Sequence, residues 1–412
     1  MIGTLKTNLL PFLDARRIVE QQAGKLTPTE AELTSLLDAV GLALAEDLRA
    51  DRDFPPFPRV TRDGYAVRAA DVQTVPAELQ CLGTLKAGAD GEGLDVAAGQ
   101  TVEILTGAAL PAGSDAVVMV EYTTAVGEKV TVTRAVKAGE NVVPAGAEAR
   151  RGDVMVPRGT RMRHAAVAVA AAIGRPEVAV HRRPKVAVLA TGDELVDINL
   201  PPGANEIRNS NSYSVAAQVY GSGGEATILP VARDEAAELA LLVRKGLDAD
   251  LLLLTGGVSA GKYDLVEEVL ASLGAEFFFI GVAMQPGKPV VFGEVAVDGK
   301  RRPLFGLPGN PVSTMVTFQL FVRPMLDALG GAKIEPLPFV RAKLKEAFTT
   351  KTGLTRFLPG KLGGSHQRPE VEWVRWQGSG DLVAAMKSNC YIVVPPDMDE
   401  IAAGEYVTVL LA

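Results

Sequence analysis

The sequence predicts a multi-domain α/β plus β protein in which a mostly parallel sheet, covered by helices, is flanked by β-rich segments. Three observations carry this expectation. At 412 residues the chain has room for roughly three domains of about 150 residues each. Between Lys185 and Leu329 short apolar runs alternate with helical patterns, as in parallel sheets buried on both faces. Before and after that stretch the chain breaks into short β-prone runs punctuated by Gly, Pro and Asp. Hydrophobic residues make up 47% and charged residues 22%, a globular balance that excludes disordered and fibrous classes.

Residues 11–24 and 27–47 carry apolar positions at helical spacing, and Thr27-Pro28 with Glu30 predicts a cap at the start of the second helix. From Asp51 the pattern turns to short strands (101–105, 116–121, 129–133), opened by the stiff connector Phe54-Pro55-Pro56-Phe57-Pro58. The run 164–173, HAAVAVAAAI, predicts a buried helix ended by Gly174, and the economical reading returns the chain there to its first domain. Strands are expected at 186–189, 227–230, 251–254, 276–280, 290–292 and 304–306, with helices at 211–221, 234–246, 263–273 and 311–329. From Pro336 β runs return, with hairpin-like Gly363-Gly364 and Gly378–Gly380 and a last strand at Tyr406–Leu410. The expected domains are 1–50 with 142–181, then 51–141, 182–329 and 330–412.

The net charge of −7 provides no field for a nucleic-acid backbone. Two distant cysteines, Cys81 and Cys390, and three histidines, His164, His181 and His366, allow neither a disulfide framework nor an ordinary zinc site, so any metal needs oxygen ligands. The N-terminal residues lack a secretory pattern, and the longest apolar runs reach about half of the roughly 18 residues a membrane span needs. A soluble, cytoplasmic protein with no nucleic-acid or membrane partner is expected.

In an open parallel sheet, ligands collect where the strands end and helix N-termini offer free N–H groups. Here those ends are Thr191-Gly192-Asp193-Glu194-Leu195, Thr255-Gly256-Gly257-Val258-Ser259-Ala260-Gly261 and Leu307-Pro308-Gly309-Asn310-Pro311-Val312-Ser313. Small residues let a backbone approach a ligand and hydroxyls donate to an oxyanion. Any one such loop is as readily a chain reversal, and Asn310 before Pro311 also reads as a helix cap. Three in one sheet favour a phosphate-bearing ligand. Lys288, between Pro286 and Pro289, adds a point charge suited to an oxyanion. Glu194, Asp234 and Asp264 stand beside the same loops, and carboxylates near phosphate require an intervening cation such as Mg²⁺. The competing reading makes them acids favoured at helix starts. No P-loop and no GxGxxG occurs.

Arg62-Asp63-Gly64-Tyr65, Leu105-Thr106-Gly107, Thr191-Gly192-Asp193-Glu194-Leu195, Asn209-Ser210-Asn211, Thr255-Gly256-Gly257-Val258-Ser259, Pro286-Gly287-Lys288-Pro289 and Leu307 to Ser313 together resemble, in order, the motifs of the molybdopterin molybdenumtransferase family, which includes the gephyrin E domain. The resemblance covers essentially the whole chain. It implies a discontinuous helical domain, an elongated β-rich domain, a central molybdopterin-binding three-layer α/β domain and a C-terminal β-barrel, in a homodimer whose cleft lies between subunits. It implies insertion of molybdate into adenylylated molybdopterin with Mg²⁺-dependent hydrolysis, releasing AMP and molybdenum cofactor. Asp63, Thr106, Glu194, Asp234 and Asp264 would be catalytic, the last three holding the metal. Thr191, Asn209, Ser210, Asn211, Thr255, Gly256, Gly257, Ser259, Lys288, Pro308, Gly309, Asn310, Pro311, Ser313 and Ser379 would bind substrate. Protein partners would be the molybdopterin adenylyltransferase and apo-molybdoenzymes or their chaperones. The chain departs from the family pattern at Gln285, where many relatives carry Lys, and at Leu354, where many carry Arg; Arg356 stands two residues later.

Two other readings remain open from sequence. An adenylyltransferase would use the same α/β fold but lacks the remaining domains. A non-catalytic scaffold would bind molybdopterin without releasing AMP, and the co-occurrence of Asp63, Glu194 and Asp264 argues against it.

Overall fold

The computed structural model describes residues 9–257 and 265–412. Three six-stranded sheets organise them. The central sheet has the order Glu225–Ile228, Lys185–Ala190, Leu251–Thr255, Lys300–Leu307, Val291–Val297, Glu276–Ile280. The first four strands are mutually parallel, whereas Val291–Val297 runs antiparallel to both its neighbours. Side chains along each strand alternate between faces. Accordingly Val186, Val188, Leu251 and Leu253 enter one apolar cluster with Val215, Val219, Val312 and Val316 from helices Ser210–Gly221 and Pro311–Thr317. Ala187, Leu189, Leu252 and Leu254 enter another with Leu239 and Val243 of helix Ala236–Gly246 and Val266 and Leu270 of helix Leu265–Ser272. The sheet is thus covered on both sides, and its loops gather at the strand ends.

The C-terminal sheet closes on itself. Strand Thr355–Gly364 pairs with both Pro369–Trp373 and Cys390–Val394, and the ring continues through Phe339–Leu344 and Tyr406–Leu411. Closure into a small barrel removes exposed strand edges. Met284–Gln285 adds in parallel to this barrel, with Gln285 opposite Arg356, which ties it to the central sheet. The third sheet, from Gly64–Val67 to Lys129–Val132, forms the β-rich excursion.

Three expectations fail. Residues 27–47 form no helix: Ala31–Ser35 pairs antiparallel with Glu177–His181. Thr29 is anchored in extended form by its N–H to the Leu329 carbonyl (2.8 Å) and its hydroxyl to the Arg182 carbonyl (2.7 Å). Long-range pairing therefore overrides a weak periodic pattern, and Leu33 and Leu37 of the expected apolar stripe are 69% and 79% exposed. Helix His164–Ala172 buries only Ala166 and Ala170, one edge instead of its whole circumference. Gly378–Gly380 is not a hairpin but a turn leading into helix Leu382–Lys387, where the Asp381 carboxylate accepts from the Ala384 N–H at 3.0 Å. The first helix, Phe12–Ala23, forms where expected and packs Phe12 edge-on against Phe321 and Phe357, in the cluster beneath the central sheet. No helix among the described residues is long and apolar enough to cross a membrane.

Candidate functional site

Because strands Lys185–Ala190, Leu251–Thr255 and Lys300–Leu307 are neighbours, their following loops open side by side. The Thr191 N–H donates to the Thr255 carbonyl (3.0 Å), and its hydroxyl donates to Asp234 Oδ1 (2.9 Å). The Asp234 N–H in turn donates to Asp193 Oδ1 at 3.2 Å. Gly256 sits at φ +87°, and a Cβ there would lie 2.2 Å from the Thr191 carbonyl oxygen. A Cβ on Gly309 would stand 3.5 Å from the Gly256 Cα. Gly257 is closed in likewise, by the side chains of Thr191 and Val266 at 2.7 Å from its would-be Cβ. The three loops lie against one another, and at Gly256 the backbones of two of them approach more closely than any residue but glycine permits.

Helix Ser210–Gly221 points its start at the same place. Asn209, buried, caps it: its Oδ1 accepts from the Ser212 N–H (3.1 Å) and its Nδ2 donates to the Ser212 hydroxyl (2.9 Å). Ser210 is the first helical residue. Asn211 spans the loops, its Nδ2 donating to Thr255 Oγ1 at 3.0 Å and to the Gly309 carbonyl at 2.7 Å. A carbonyl can only accept, so the amide orientation is fixed. Asn211 Oδ1 is then left buried with no donor among the described residues. An unpaired buried acceptor is costly unless a ligand or water completes it.

A cavity of about 690 Å³ adjoins these loops, between the central sheet and the barrel. Lys288, Pro308, Gly309, Asn310, Ser313 and Ser379 line it, as do Gln285, Lys351, Leu354, Arg356 and Trp376. Antiparallel Val291–Val297 explains the presence of Lys288: the strand begins at the edge where its parallel neighbours end. Pro311 opens its helix at the first turn, yet Asn310 before it makes no side-chain cap bond, so its amide remains available to the cavity. The turn Gly378–Gly380 is held there by the Val312 N–H donating to the Ser379 carbonyl (2.9 Å). Sequence reasoning left Lys351, Arg356 and Trp376 out of the site. The paired basic residues around Gly353 were the available signal. A larger hollow of about 860 Å³ in the barrel is lined by Lys361, Arg375 and Lys387 together with Glu346 and Glu372, so it lacks a single-sign field.

Asp63 and Thr106 meet each other. Asp63 Oδ1 accepts from both the N–H and the hydroxyl of Thr106, each at 2.7 Å, and these bonds hold its carboxyl below the usual carboxylate range. The pair sits at the β-rich sheet and, among the described residues, shares no hydrogen bond with the strand tips and does not line the cavity. Glu194 folds over Gly192, its carboxylate 2.6 Å from where a Cβ would stand. Ser259 and Asp264 lie outside the described residues.

Among the described residues no three His, Cys, Asp or Glu side chains converge on a metal position. Mg²⁺, however, is bound through one or two carboxylates plus substrate phosphate and water. Asp234, fixed by Thr191, and Glu194 are hard oxygen donors of that kind on two neighbouring loops at the strand ends. They fit that ion.

Three family models match the chain: "MoeA N-terminal region (domain I and II)" over residues 10–174, "Probable molybdopterin binding domain" over 187–328 and "MoeA C-terminal region (domain IV)" over 341–412. The chain is 35% identical to the molybdopterin molybdenumtransferase of Staphylococcus aureus strain COL, over 98% of this chain and 96% of that protein. It is 33% identical to the protein of the same name from a Nostoc species, over 98% and 91% respectively. The crystal structure of a molybdopterin biosynthesis moeA protein from Pyrococcus horikoshii OT3 superposes with a TM-score of 0.78 at 28% identity, covering 98% of this chain and all of that one.

Proposed function

The chain belongs to the molybdopterin molybdenumtransferase family and is a transferase inserting molybdenum in cofactor biosynthesis; we propose that its strand tips and cavity divide that reaction between them. The substrates on this reading are adenylylated molybdopterin and molybdate. The loops at Thr191, Thr255–Gly257 and Ser259, with the start of helix Ser210–Gly221, receive the phosphoanhydride through backbone N–H and hydroxyl donors. Glu194, Asp234 and Asp264 would hold Mg²⁺, which when bound offsets the negative charge of the phosphates. The same carboxylates orient the attacking water. Its oxygen bonds to phosphorus, the anhydride P–O bond breaks, and AMP departs, leaving the phosphate on the pterin.

Lys288, Asn310, Ser313 and Ser379 engage molybdate oxygens in the adjoining cavity, next to where the dithiolene would lie. Asp63 and Thr106 act from a second copy of the chain in a homodimer, their β-rich sheet facing the partner's strand tips. An adenylyltransferase would supply the substrate, and apo-molybdoenzymes or their chaperones would receive the product in the cytoplasm. The observation that carries this reading is the contact of Thr191, Thr255, Gly256, Gly309 and Asn211 across three loops, with an unspent acceptor at their centre and an oxyanion cavity beside them.

The test is release of AMP from adenylylated molybdopterin on addition of molybdate and Mg²⁺. Glu194→Ala, Asp234→Ala and Asp264→Ala should each lower it on the order of 100-fold or more with the oligomer intact. Unchanged turnover in all three would contradict these roles. Binding of the pterin without any AMP release in the wild type would favour a scaffold.

A further inference from the structure

The oxyanion cavity contains a charge arrangement that the reading above does not use. Arg356 is only 6% exposed, and burial alone lowers its pKa from the ordinary guanidinium value. Its Nε donates to the Lys351 carbonyl at 2.8 Å, and no carboxylate partners it among the described residues. Buried guanidinium groups are ordinarily paired, because an uncompensated cation away from water is costly. Lys351 and Lys288 also line the cavity without an ion-pair partner, and no acidic side chain lines it, among the described residues. Three cations therefore face three hydroxyls, Ser313, Thr352 and Ser379, that donate to no protein group among the described residues.

We infer that Arg356 and Lys351 are specificity-determining residues that select a tetrahedral dianion in this cavity, acting with Lys288. The inference rests on the proposed molybdate reading and deepens it by naming what fixes the charge of the ligand. The rigid guanidinium fork matches an oxyanion edge, while Lys351 adds a mobile point charge from the exposed rim. Gln285, opposite Arg356 in the paired strands, contributes no charge, so two of the three positive charges come from the barrel side of the cavity and Lys288 alone from the central-sheet side. Leu354 and Arg356 both line the cavity, as residues two apart on extended chain share a face. A cation placed at 354 therefore reaches the same hollow.

The experiment is calorimetric titration of the full chain with sodium molybdate and with sodium nitrate, a monoanion, alongside AMP-release kinetics. Wild type should prefer molybdate. Arg356→Gln and Lys351→Gln should each weaken molybdate binding roughly 10- to 100-fold, the loss expected for a charge-assisted contact, and narrow the preference over nitrate. They should raise the KM for molybdate and leave that for adenylylated molybdopterin unchanged. Leu354→Arg added to Arg356→Gln should recover binding. Lys351 is exposed, so K351Q keeps the test informative if R356Q folds poorly. Molybdate affinity unaltered in K351Q and in folded R356Q would overturn the inference and leave the cavity reading intact. Wild type that binds no molybdate would overturn both.

Discussion

Gly256→Ala is the substitution whose effect can be worked most directly from the structure. Gly256 and Gly404 have nearly the same φ, +87° and +86°, but a Cβ on Gly404 meets nothing within 4 Å. Both substitutions carry the conformational cost of placing an L-residue in the left-handed region, roughly 1–2 kcal/mol. Only Gly256→Ala adds a collision, since its Cβ would stand 2.2 Å from the Thr191 carbonyl oxygen. Restoring van der Waals distance moves the two loops apart by roughly 1 Å, and a misplacement of that size costs about 100-fold in rate, or about 3 kcal/mol in the barrier. Denaturant unfolding and AMP release are measured on both variants. G404A should lose roughly 1–2 kcal/mol of stability and keep its turnover. G256A should lose at least as much stability and about 100-fold in turnover. Equal turnover in the two variants would refute the claim that the site depends on this close approach.

Asp63→Asn should reduce AMP release and lower the thermal midpoint slightly at neutral pH, where the ionised carboxylate stabilises the Thr106 turn, with unfolding still a single cooperative transition. Because the Asp63 carboxyl is held below its usual range, its stabilisation is complete above the unfolded value near 3.8 and is lost as pH falls through the lower folded one. Asp63 should therefore contribute no inflection to an AMP-release profile between about pH 5 and 8; an inflection there that vanishes in D63N would contradict this. Asn211→Ala removes the amide joining Thr255 to the Gly309 carbonyl along with the unsatisfied acceptor. It should weaken binding of adenylylated molybdopterin about 10-fold or more and leave molybdate affinity in the cavity unaltered; a loss confined to molybdate would place Asn211 in the wrong subsite.

The central sheet was legible because its signals are local and repeated: runs such as Leu251–Leu254 are long enough and apolar enough to be buried on both faces, and helix caps and glycines bound them. Its loops followed from the rule that parallel strands end together. What could not be read was any feature decided by distant pairing. The 27–47 segment has a helical pattern, yet pairing with residues 177–181 defines its conformation. Lys351 and Arg356 are spaced around a glycine turn like many surface residues, and only closure of the barrel against Met284–Gln285 turns them toward the cavity. The reversed direction of Val291–Val297 was equally invisible, since periodicity does not encode strand polarity.

That reversal orders the charges along the sheet edge. Asp234 follows strand Glu225–Ile228, Asp193 and Glu194 follow Lys185–Ala190, the hydroxyl and glycine groups follow Leu251–Thr255 and Lys300–Leu307, and Lys288 precedes Val291–Val297. Along the strand order the carboxylates Asp193, Glu194 and Asp234 lie at one end, beside Arg233, uncharged loops lie in the middle and Lys288 lies at the other end, with Arg356 and Lys351 extending the basic end from the barrel. Were Val291–Val297 parallel to its neighbours, its leading Lys288 would sit at the opposite edge and the series would end at Gly309. Opposite fields so close would attract each other's side chains if the loops were soft. No ion pair forms between the two groups among the described residues, and the loops that separate them are tied together by the Asn211 bridge. On the proposed reading, this separation lets a cation-assisted hydrolysis and an oxyanion transfer proceed on one substrate without either charge set neutralising the other.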